Sequence, residues 1–106
     1  MVTVDELVDA VIEEARRRYM SYKCPEGYAD CGEHYESQIL THGLRVRQFM
    51  LSAVYSVVKQ YISERWRRPA VAGILVRVMT LIYKGVPRDE AVNVYRQALK
   101  EAGGLE

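Results

Sequence analysis

From about Glu33 to Trp66 the chain has no proline and one glycine, Gly43, and no other stretch restricts the fold so severely. As one α-helix it would run about 50 Å, at about 1.5 Å per residue. A compact domain of 106 residues has a radius of gyration near 13 Å and spans roughly 35 Å. The helix therefore either breaks or leaves part of its apolar face for a second copy of the chain. Ile39, Leu40, Gly43, Leu44, Val46, Met50, Leu51, Ala53, Val54, Tyr55, Val57, Val58, Tyr61 and Ile62 lie on an arc of roughly 200°. Thr41, Arg45, Gln48, Ser52, Ser56 and Lys59 form the opposing polar strip. An arc that wide touches neighbours on two sides. Leu51, Val54, Val58 and Ile62 are the residues expected at a subunit interface. Arg47 falls near the middle of the same arc, where an unpaired charge is costly.

Three shorter helices flank it. The first covers about 4–22, opened by a Thr3/Glu6 capping box and carrying Val4, Leu7, Val8, Val11, Ile12, Ala15 and Tyr19 on one face. Its acids lie near the positive end of the helix dipole and Arg16, Arg17 and Arg18 near the negative end. Turn chemistry in Pro25, Gly27, Asp30 and Gly32 separates it from the long helix. Arg67-Arg68-Pro69 ends the long helix, because a residue before proline is pushed out of the α region. A nearly all-apolar helix follows over about 70–84, with Gly73, Arg77, Thr80 and Lys84 as its only polar or small line. Gly85 stops it and Pro87 opens the last helix, about 87–102, which Gly103-Gly104 closes. The expected fold is an all-α four-helix bundle in one domain, 1–106, with one long central helix over about 33–66, completed by oligomerisation.

Formal net charge is +1, so no global field draws the chain to nucleic acid or an anionic membrane, and such contacts need local patches. The amino terminus lacks the basic region of a signal peptide. The apolar run 70–83 is shorter than the roughly 20 residues of a membrane span and carries Arg77. An intracellular protein, or part of a particle assembled inside a cell, is expected, with no membrane partner. Arginine outnumbers lysine and Asn93 is the one asparagine, a scarcity of thermolabile amides that points to a thermophile.

Both cysteines and both histidines fall in Cys24-x6-Cys31-x2-His34-x7-His42. Zinc sites usually pair cysteines two to four residues apart, and the histidines sit about 12 Å apart if helical. A Cys24–Cys31 disulfide across the turn segment is the preferred reading, with two ordinary thiols as the alternative. No metal, cofactor or catalytic residue is assigned: Glu-x-x-His pairs, a phosphate loop and a serine elbow are all missing from the sequence. An enzyme acting on a small-molecule substrate is not expected.

Arg65-Trp66-Arg67-Arg68 places an aromatic plane among three guanidinium groups, a combination suited to phosphate contact and base stacking, and Arg77 could extend it. The competing account is that Trp66 covers the core end while the arginines favour a helix terminus, where replacing Arg67 and Arg68 costs only tenths of a kcal/mol. The last helix offers Arg88, Asn93, Arg96 and Gln97 beside Asp89 and Glu90, too weakly basic for a recognition helix. The chain reads as a non-enzymatic structural protein that self-associates through its second and third helices as a homodimer or larger array, packaging or coating nucleic acid. The alternative is a small dimeric DNA- or RNA-binding regulator using the Arg/Trp cluster.

Overall fold

The computed structural model describes residues 2–23 and 43–106, with side chains described for 2–18 and 50–106. Four helices account for most of them: α1 (Val4–Lys23), α2 (Gly43–Tyr61), α3 (Arg68–Tyr83) and α4 (Arg88–Gly103), with a 3₁₀ turn, Arg65–Arg67, before α3. Each helix packs on the next, and α4 returns to α1, closing a bundle. Val4 N–H donates to the Glu106 carbonyl at 3.3 Å. No described helix is long and apolar enough to cross a membrane.

The helix starts and stops follow local chemistry. Thr3 Oγ1 accepts from Glu6 N–H at 3.1 Å, satisfying an amide that the first turn leaves without a helical partner. At the end of α3, Gly85 adopts φ 100° while Val86 N–H reaches back to the Leu81 carbonyl. At the end of α4, Gly104 adopts φ 60° while Leu105 N–H reaches Lys100. Both bonds span five residues, the pattern of a Schellman cap, and a positive φ is where glycine is favoured. Pro87 precedes the first turn of α4 rather than forming part of it.

Helix α2 differs from the long helix expected. Residues 33–42 lie outside the described residues, and at the other end the helix stops at Tyr61 instead of Trp66. Ile62 N–H makes the last helical bond, to Val58, and Glu64 is extended at φ −79°, ψ 106°. The break is earlier than the proline because two carbonyls there find a side-chain donor. Arg68 Nε donates to Ile62 O at 2.8 Å and its terminal nitrogen to Lys59 O at 3.3 Å. Arg68 itself is helical (φ −59°, ψ −45°) despite preceding Pro69. Proline is tolerated in a first turn, where its missing N–H would have had no helical partner.

The described part of α2 is about 28 Å long at about 1.5 Å per residue, inside a body measuring 41 × 25 × 21 Å. Over its described residues α2 packs on two neighbours within the chain, α1 and α3, while Tyr55 and Tyr61 of its apolar arc stay 63% and 40% exposed. Val54, Val58 and Ile62 are buried with Val4, Leu7, Val8, Val11, Leu75, Val78, Val92 and Leu99 in one apolar cluster, and Leu51 packs partly against it. The residues expected at a subunit interface are thus core residues. No polar or charged side chain is buried among the described residues.

Candidate anion-binding groove

Helices α2 and α3 diverge enough on their outer side to leave an open groove of about 550 Å³. Tyr55, Val58 and Lys59 line it from α2, Arg65 from the connection, and Arg68, Pro69, Gly73 and Val76 from α3. Helical spacing makes the walls: Tyr55 and Lys59 are four residues apart, as are Pro69 and Gly73. Tyr55 is 63% exposed although it stands on a helix whose neighbours are core residues. A Cβ added to Gly73 would meet nothing within 4 Å, so that wall is open. Arg77 stands one turn beyond Gly73, exposed.

Among the described residues no carboxylate lines this groove. Lys59 and Arg65, which line it, and Arg77, a turn of α3 beyond Gly73, make no ion pair among those residues. The local sequence explains why. Between Gly43 and Val86 the only acid is Glu64, against Arg45, Arg47, Lys59, Arg65, Arg67, Arg68, Arg77 and Lys84. The other acids of the chain lie at 5–36 and 89–106. This segregation, hidden under a net charge of +1, is the signal that locates the groove from sequence. Reading the Arg/Trp cluster by itself misses Tyr55 and Lys59.

The expected Arg/Trp site is divided by the structure. Arg65 faces the groove, and Arg68 lines it while capping α2. Arg67 turns the other way. It donates to the Glu101 and Ala102 carbonyls at the end of α4, 3.2 and 3.1 Å, and pairs with Glu64 at 3.1 Å. Its guanidinium also covers the Trp66 ring, 4.3 Å from the centroid. Trp66 Nε1–H donates to Glu64 at 3.0 Å and the side chain is largely exposed, outside the groove lining. Arg67 and Arg68 are therefore held by backbone carbonyls at two helix ends, more than the screened surface charges expected of them.

Elsewhere several charges pair with one another, although Arg16, Lys84 and Lys100 also make no ion pair among the described residues. Glu14 holds Arg17 at 2.6 Å and Arg18 at 2.8 Å, and these guanidiniums lower its pKa. Asp5 takes Arg96 at 2.9 Å and Arg88 at 3.1 Å, and their hydrogen bonds bring its pKa down to about 2. Arg88 also meets Asp9 at 2.7 Å and Asp89 at 2.8 Å. Partial burial works against its charge, but the carboxylates of Asp9, Asp5 and Asp89 outweigh that and raise its pKa. Arg88 and Arg96 are committed to joining α4 to α1, which removes them as base readers.

No group of three or more histidine, cysteine or carboxylate side chains among the described residues is placed to hold a metal. Cys24, Cys31, His34 and His42, and with them the expected disulfide, lie outside the described residues, as does the side chain of Arg47. No protein-family model, curated protein or solved structure matches this chain.

Proposed function

We propose that this chain is a non-enzymatic helical binding protein that holds nucleic acid by its phosphates in the α2–α3 groove. The observation that carries the proposal is the groove lined by Tyr55, Lys59 and Arg65, with no carboxylate among its described lining residues and with the exposed Arg77 a turn beyond Gly73. Cations without partners are favourable sites for a polyanion, which gains counterion release on binding.

The test is titration of labelled oligonucleotide at several salt concentrations. Three phosphate contacts predict a slope of log affinity on log salt of about −2 for a single strand or about −3 for a duplex. The triple variant Lys59→Gln, Arg65→Gln, Arg77→Gln should abolish the salt-dependent binding with an unchanged melting temperature. Undiminished binding by that variant would remove the proposal.

A second reading is self-association on the same face. Gly73, with open space where a Cβ would stand, permits close approach of a second helix. Light scattering at high protein concentration separates the two: a dimer abolished by Gly73→Leu supports the second reading.

A further inference from the structure

Resting on that reading, we infer that the polymer taken by the groove is a single strand, with a base stacked on Tyr55. Three observations carry this. The first is size. The groove is a local pocket of about 550 Å³ with walls on both α2 and α3, which an unpaired base can enter and a base held in a duplex cannot without leaving its stack.

The second is the aromatic wall. Tyr55 is 63% exposed, lines the groove, and stands one turn from Lys59. A phenol ring beside a cation presents a π-face to a base while the neighbouring phosphate meets the charge, the pairing used by single-strand binders. In a duplex each base is already stacked, so that face would have no partner. The apolar floor of Val58, Pro69 and Val76 suits the flat face of a base better than a continuous phosphate ridge.

The third is length. Arg68 and Arg77 are about 13 Å apart along the α3 axis, and Arg65 extends the cationic line past the helix start. That reach covers only a few nucleotides, at the short end of single-strand sites. Meanwhile α4 cannot serve as a major-groove helix, because Arg88 and Arg96 are engaged by Asp5. Among the described residues the groove thus offers a slot for one strand, and α4 has its arginines engaged within the chain.

The test compares fluorescence anisotropy of labelled oligo-dT and oligo-U, each about 12 nucleotides, with a duplex of equal length. Inorganic polyphosphate serves as an aromatic-free competitor. Either single strand should bind at least about tenfold tighter than the duplex, and the tighter of the two identifies DNA or RNA as the source. Tyr55→Ala should weaken single-strand binding about tenfold, Tyr55→Phe should restore it, and neither should alter competition by polyphosphate. Circular dichroism melts check that both variants remain folded. Duplex binding as tight as single-strand binding, or single-strand binding indifferent to Tyr55→Ala, overturns the single-strand inference and leaves the groove reading standing. Failure of oligo-dT, oligo-U, duplex and polyphosphate alike to bind overturns the groove reading, and this inference with it.

Discussion

Arg67 and Arg68 show how little a side chain's charge says about its work. Both sit in a run of sequence that reads as a phosphate clamp, yet their donors are spent on carbonyls at the ends of α4 and α2. A hydrogen bond from a charged donor contributes about 1.5–3 kcal/mol, and a solvent-accessible one less. Arg67→Ala should therefore cost about 1–2 kcal/mol, a fall in melting temperature of roughly 4–8 °C per kcal/mol for a domain of this size. Arg65→Ala, two residues earlier with no such partner, should leave the melting temperature unchanged; differential scanning calorimetry of the two variants checks the contrast. Spacing and composition cannot disclose this difference. Every helix end offers carbonyls, and which arginine reaches them depends on how the chain turns between Ile62 and Arg65.

Among the elements, those with glycine or hydroxyl caps are the ones whose limits can be read from sequence. Thr3, Gly85 and Gly104 each mark a boundary that the structure keeps within a residue or two. The stop at Tyr61 has no such marker: Ile62, Ser63 and Glu64 are ordinary helix residues, and the break depends on Arg68 arriving from six residues further on. Gly104 invites a direct check. Its φ is 60°, and a Cβ there would stand 3.2 Å from the Arg67 guanidinium carbon. Gly104→Ala should destabilise by about 1 kcal/mol or more in urea titrations, from backbone strain and from displacing that cap.

The joint between α1 and α4 responds to pH. Asp5 has a folded pKa of about 2, below its ordinary 3.8. Its contribution to stability is therefore complete above about pH 4 and lost as pH falls from there through 2. With the Asp5 side chain 47% exposed, solvent screening limits the contribution to about 1 kcal/mol or less. Wild type and Asp5→Asn should differ in urea midpoint at pH 6 and converge near pH 2.

At the scale of the molecule, the apolar stripe of α2 was legible as wide, and its partners were not. Width predicts two neighbours, but only packing shows that α1 and α3 supply both from the same chain. Val54→Glu, placing a carboxylate at a fully buried position, should unfold the chain, seen as loss of helical circular dichroism at all protein concentrations.

The uneven distribution of charge has a consequence for handling the protein. A chain whose sequence pI is about 7.8 would pass through a cation-exchange column at that pH if its charges were mixed evenly. With Lys59, Arg65 and Arg77 unneutralised beside the groove, the protein should adsorb α2–α3 face first and elute only with added salt. It would then lie on the sulfonate beads in one orientation, with the α1–α4 joint turned to the mobile phase.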